Sequence, residues 1–180
     1  MPRLPEITSK SDLPVDKQHI LDYLAGTRGS VRVPFSIVLN SPEACSRIAH
    51  LGTYLRFESS LAKEVTELAT LTAARQFDCE HEWVQHSRLA REAGVSEAAI
   101  DAIGHRRDLS ALKDDEALPV RYARELLAGH AVSAEAFDAA RKRFGDQGVI
   151  DLTATVGYYS MMACLLNALE IIPPGGPHLP

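Results

Sequence analysis

Cysteine is scarce in this chain: Cys45, Cys79 and Cys164 are three thiols, an odd number at wide spacings, in 180 residues. That excludes a disulfide framework and makes a reducing cytoplasm the expected compartment. No C-x-x-C is present, because Glu82 stands three residues after Cys79. Extended basic runs are also missing. The net charge is −5, and Arg106-Arg107 and Arg141-Lys142-Arg143 sit among acids, so no nucleic-acid partner is expected. Long uncharged apolar runs are absent too. The most apolar stretch, 149–172, carries Asp151, Asn167 and Glu170, which argues against a membrane span and for a helix in the core or in a subunit interface. The opening Met1-Pro2-Arg3-Leu4-Pro5 lacks the apolar centre of a signal peptide. Strand signals are confined to Val31, Val33 and Phe35, too short and isolated to build a sheet.

What the chain has is helical punctuation. Ser41-Pro42-Glu43 supplies an N-cap, a first-turn proline and a first-turn acid, opening a helix to about Arg56. Ser59 or Ser60 is placed to cap the next, where Leu61, Val65, Leu68, Leu71 and Thr72 keep a helical period to about Phe77. A helix follows from about Cys79 to Ala93, stopped by Gly94, and a short one from Ser96-Glu97 to Gly104. Further helices are expected over about 116–128, from Ser133 to Gly145, and over about 147–169. The expected fold is all-α: an N-terminal arm over 1–30, one helical domain over 31–172 and an irregular tail over 173–180.

The chemistry concentrates in Cys79-Glu80-His81-Glu82-Trp83-Val84-Gln85-His86. Positions 79, 82 and 86 are three and four residues apart, so a thiol, a carboxylate and an imidazole share one helical stripe. Glu67 lies on the preceding helix. A short connection near Phe77-Asp78 would make the two helices antiparallel and bring Glu67 toward the stripe. A carboxylate against an imidazole fixes its tautomer and raises its basicity. Cys79 sits at a helix start, where the dipole favours thiolate; the competing reading is a buried, inert cysteine. His81 and Glu80 fall on other faces and read as solvated. Trp83, the single tryptophan, could wall a pocket, although a packed core indole is the simpler reading. Glu82 and His86 with Glu67 and His50 could make a mixed metal site, but their spacing resembles neither H-E-x-x-H nor a paired E-x-x-H motif, and no metal is assigned.

Together Glu67, Cys79, Glu82-Trp83, His86, Ala93-Gly94-Val95-Ser96 and Ile100, with Asn40-Ser41-Pro42-Glu43 and Leu51-Gly52 upstream, resemble the carboxymuconolactone decarboxylase family, within the alkyl hydroperoxidase D-like superfamily. The likeness spans roughly residues 30 to 170. It implies an all-α bundle that associates into a homo-oligomer (dimer, trimer or hexamer), with the site near a subunit interface. Peroxidase members of that superfamily carry E…C-x-x-C…H; the resemblance then makes Glu67 the relay acid, Cys79 the first cysteine and His86 the relay histidine. Glu82 occupies the position of the peroxide-attacking cysteine, and a carboxylate cannot replace a thiolate there. The resemblance therefore points to the decarboxylase-named branch: acid/base chemistry, without a cofactor, on a small carboxylated lactone or related carbonyl compound. In that reading His86 is the general acid/base near neutral pH, Glu67 orients it, Glu82 holds or protonates substrate, and Arg56 holds a substrate carboxylate. Two rivals remain: a thiol antioxidant (peroxiredoxin activity) using Cys79 alone, and a non-catalytic helical oligomer that binds a ligand or partner.

Overall fold

The structure, a computed structural model, describes residues 2–173, 175 and 178–180; Met1 and, in the expected irregular tail, Pro174, Gly176 and Pro177 lie outside the described residues. Eight α-helices and no strand occur among the described residues: α1 (Gln18–Arg28), α2 (Phe35–Val38), α3 (Pro42–Thr53), α4 (Lys63–Gln76), α5 (Glu80–Ala93), α6 (Glu97–Gly104), α7 (Asp114–Gly129) and α8 (Ala134–Ala168). The segment 31–35 that hints at a strand instead carries a cis Val33–Pro34 bond and leads into α2. α4 is the hub. It packs against α5, α7 and α8 and buries Val65, Leu68, Ala69, Leu71, Ala73 and Ala74.

Caps explain several boundaries. Ser96 Oγ accepts the Ala99 N–H (3.1 Å) and Ser133 Oγ accepts the Ala136 N–H (3.2 Å), which starts α6 and α8 where the sequence places them. The expected serine cap of α4 is not formed. α4 begins at Lys63 behind Ala62, because the Ser60 hydroxyl and amide are both committed to Asp151. α3 also stops early, at Thr53, and passes into a π-helical turn, Tyr54–Glu58, closed by the Ser59 N–H on the Tyr54 carbonyl (2.8 Å). α8 is long and apolar enough to cross a membrane by length and composition alone. Gly145 breaks it, with φ 72° and ψ 177°, a conformation only glycine takes without strain. Beyond the break, Leu152, Val156, Tyr159, Met162 and Leu166 are buried in the core.

The first thirty residues, the expected N-terminal arm, pack on the segments that follow them. Two 3₁₀ turns, Lys10–Asp12 and Val15–Lys17, lead into α1. Leu13, Ile20 and Leu24 are buried with Phe35, Leu39, Cys45 and Ala49 in one cluster. The period-four spacing of Ile20 and Leu24 carries that signal in the sequence. Closer to the start, the Ile7 N–H donates to the Ser36 carbonyl (2.7 Å) and Arg3 ion-pairs with Glu170. α3 and α8 meet where Gly52 faces Tyr158. A Cβ on Gly52 would stand 2.2 Å from the Tyr158 hydroxyl oxygen, so the approach requires glycine.

Candidate active site

α4 and α5 form an antiparallel pair joined by the short turn at Phe77 to Cys79, and this pairing brings Glu67 onto the α5 stripe. His86 Nδ1 lies 2.6 Å from Glu67 Oε2, and His86 Nε2 lies 3.1 Å from Glu82 Oε2. Both ring nitrogens therefore face carboxylate oxygens, and only imidazolium can donate to both. His86 is 4 % exposed and Glu82 5 %. Burial alone would drive the imidazolium down, but hydrogen bonds to Glu67 and Glu82, reinforced by their charges, push His86 up to about 9. The expected poise near neutral pH is thus corrected: His86 holds its proton at neutral pH. The Tyr159 ring stands edge-on to the imidazole, 4.8 Å between centroids, and fixes its plane.

Glu82 and His86 open onto a cleft of about 1080 Å³, which Arg56 also lines. The sequence reading missed much of the remaining wall: Arg28 from the end of α1, His81, and Tyr158, Tyr159 and Met162 from α8. His81 is not solvated as expected. Its Nδ1 is buried without a hydrogen-bond partner, and burial lowers its pKa. Two tyrosines a few turns beyond a buried aspartate, inside an apolar helix, were the available signal for this wall. His50 takes no part, since it stacks on Tyr23 at 3.9 Å between ring centroids.

Trp83 and Cys79 are placed away from the cleft. One residue past Glu82, Trp83 is turned about 100° around α5. It packs with Leu68, Leu71, Ile100 and Ile103 rather than walling the pocket. Cys79 caps the N-terminus of α5, yet its thiol is 0 % exposed among Ile37, Ala163, Leu166 and Ile171. Burial there outweighs the nearby backbone N–H groups and pushes the thiol up to about 11, opposite to the thiolate that its helix-start position suggests. Glu80 is engaged elsewhere, accepting the backbone N–H groups of His178 (2.6 Å) and Leu179 (3.0 Å).

Arg56 rides on the π-helical turn, and Asp151 of α8 pins that turn at both ends. Asp151 accepts the Tyr54 hydroxyl (2.9 Å), the Ser60 N–H (3.0 Å) and the Ser60 hydroxyl (2.7 Å). Burial would raise its carboxyl, but these bonds hold it below the usual carboxylate value.

Comparison with known proteins fits this geometry. Residues 42–113 match the model of the carboxymuconolactone decarboxylase family, a segment that contains Arg56, Glu67, Cys79, Glu82 and His86. No curated protein matches the chain. Among solved structures, an uncharacterized peroxidase-related protein with an alkylhydroperoxidase AhpD core, from Ralstonia eutropha JMP134, superposes with a TM-score of 0.78 at 18% identity, over 97% of this chain and 93% of that one. An uncharacterized peroxidase-related protein from Silicibacter sp. TM1040 gives a TM-score of 0.74 at 17% identity, over 97% and 96%. Residues 42–113 are thus similar to the carboxymuconolactone decarboxylase family, and the fold as a whole is that of the AhpD-core structures.

Proposed function

We propose that the protein is an acid/base enzyme of the carboxymuconolactone decarboxylase type, acting on an anionic carbonyl or lactone compound bound in the cleft. The observation that carries this reading is the buried Glu67–His86–Glu82 array, an imidazole with each ring nitrogen against a carboxylate oxygen at the cleft wall. The array holds a stored proton and a net negative charge where water is partly excluded. In a decarboxylation, the bond to the carboxylate carbon breaks, CO2 leaves, and the electron pair delocalises into the carbonyl. Imidazolium at His86 stabilises that developing negative charge and donates its proton to the carbon or, through Glu82, to the oxygen. Solvent then returns a proton to the array. Arg56 stands in the same cleft to hold an anionic group.

The two solved structures are named peroxidase-related, which makes a thiol peroxidase the second reading. It asks for a reactive thiol at the site. Cys79, the cysteine in the motif, is fully buried and pushed up to about 11, and Glu82 fills the position of the second cysteine. Both features favour acid/base chemistry.

The discriminating experiment pairs two variants on one substrate, found by screening lactones and keto acids. Cys79→Ala is expected to retain turnover, while Glu82→Gln loses about 10²–10⁴-fold in kcat, the usual contribution of a positioned acid or base. Full turnover in Glu82→Gln sinks the acid/base reading. Peroxide consumption that vanishes in Cys79→Ala would install the thiol reading in its place.

A further inference from the structure

The cleft has two unlike ends. Its volume, about 1080 Å³, is at the large end for a small-molecule site. Along α8 its wall begins at Tyr158 and Tyr159, passes Met162, and continues to Ile171 and Ile172 beyond the helix end. From Tyr158 to Ala168 the helix alone spans about 15 Å at ~1.5 Å per residue.

Cations gather at the Tyr158 end. Arg28 donates to the Ala49 carbonyl (3.0 Å) and the Thr53 hydroxyl (3.3 Å) and lies over the Phe35 ring at 4.3 Å. Its Nε is buried with no partner. Arg56 lies 5.1 Å from the Phe57 ring centroid and has neither an ion pair nor a hydrogen bond among the described residues. The carboxylates that line the cleft do not answer these cations. Glu6 accepts the Ser36 hydroxyl (2.7 Å) and Glu82 faces His86. At the other end Val33 and Ile171 pack into the apolar cluster of Ile37, Cys79, Ala163 and Leu166, Ile172 stands 64 % exposed, and the neighbouring Arg32 donates to the Ser30 hydroxyl (2.6 Å). Glu82 and His86 line the cleft beside Tyr159, whose ring stands edge-on to the imidazole.

We propose that the cleft binds an amphipathic monocarboxylate, with its head between Arg28 and Arg56 and its apolar body running past Tyr159 and Met162 toward Val33 and Ile172. This rests on reading the cleft as the substrate site, and it sets Glu82 and His86 beside the body, so their proton transfer falls on a carbonyl or lactone group of the body while the head carboxylate is held intact. Two unanswered cations at one end favour an anion there. The apolar far end makes affinity grow with each buried methylene.

Isothermal titration of the full chain with butanoate, octanoate, dodecanoate and octanamide tests this without turnover. Affinity is expected to rise roughly two- to fourfold per methylene from butanoate upward. Octanoate should exceed octanamide by about tenfold or more. Arg56→Gln, which breaks no side-chain hydrogen bond among the described residues, should erase the preference for octanoate over octanamide. Ile172→Glu should weaken dodecanoate and spare butanoate. Equal binding of octanoate and octanamide, an unchanged preference in Arg56→Gln, or equal binding of butanoate and dodecanoate overturns the inference. Glu82→Gln separates the two proposals. If it keeps both octanoate binding and turnover, the acid/base reading falls and the ligand class stands. If octanoate fails to bind the wild type while Glu82→Gln loses turnover, the ligand class falls and the acid/base reading stands.

Discussion

His86 couples the candidate site to stability, because Glu67 and Glu82 are brought against its ring only in the folded chain. Its folded pKa, about 9, lies above the unfolded value of 6.5. Below pH 6.5 both states carry the proton and the stabilisation is fully present. Between 6.5 and about 9 the unfolded chain has released the proton while the folded chain keeps it, so stability falls as pH rises. Cys79 acts in the same direction over a higher window, from its ordinary 9.0 to about 11. The urea midpoint is therefore expected to drop steadily from pH 7 to pH 9, by an amount equivalent to about 1–3 kcal/mol for His86. Histidine NMR checks the cause: one ring should titrate near 9, and Glu67→Gln should lower that value. A His86 ring titrating at its ordinary pKa would remove the basis for a stored proton.

Among the elements, the π-helical turn Tyr54–Glu58 has the closest link to the site, because it carries Arg56 and depends on a residue nearly a hundred positions away. Asp151 answers three donors at once, from Tyr54 and Ser60, at the two ends of the turn. Asp151→Ala leaves those donors without their acceptor beside the core and is expected to cost about 2–4 kcal/mol. Asp151→Asn keeps an oxygen acceptor and should recover part of that loss. In either variant Arg56 loses its fixed seat, so KM for an anionic substrate should rise more than kcat falls. A kcat loss with unchanged KM would show that the turn does not position Arg56 for binding. Local signals made the helix ends at Gly94, Ser96 and Ser133 legible in the sequence, because a cap is decided within four residues. The turn was not legible. Its defining contacts join residues 54 and 60 to residue 151, and in the sequence Asp151 appears only as a charge interrupting an apolar run.

At the scale of the molecule, the site is a local motif set inside a non-local cavity. Glu67, Glu82 and His86 were legible because helical spacing and one short turn suffice to join them. Tyr158, Tyr159, Met162 and Arg28 were not, since they reach the cleft through the packing of α8 against α4 and of α1 against α3. Trp83 shows the converse: adjacency to a site residue in sequence turns it about 100° away, onto the face that packs with Leu68 and Ile103. The same packing makes the first thirty residues part of the folded unit. Leu24 is 0 % exposed, and its cluster includes Phe35 of α2 and Cys45 of α3. Arg28 lies one turn further along the same helix, so loosening α1 loosens one end of the cleft. Leu24→Ala is expected to lower stability by about 2–5 kcal/mol, the cost of a buried leucine truncation. In a chain of this size that is roughly 5–15 °C in Tm, read by calorimetry as one cooperative transition. A separate low-temperature transition, or a Tm change within a degree, would mean that α1 docks as an appendage and that the cleft closes without it.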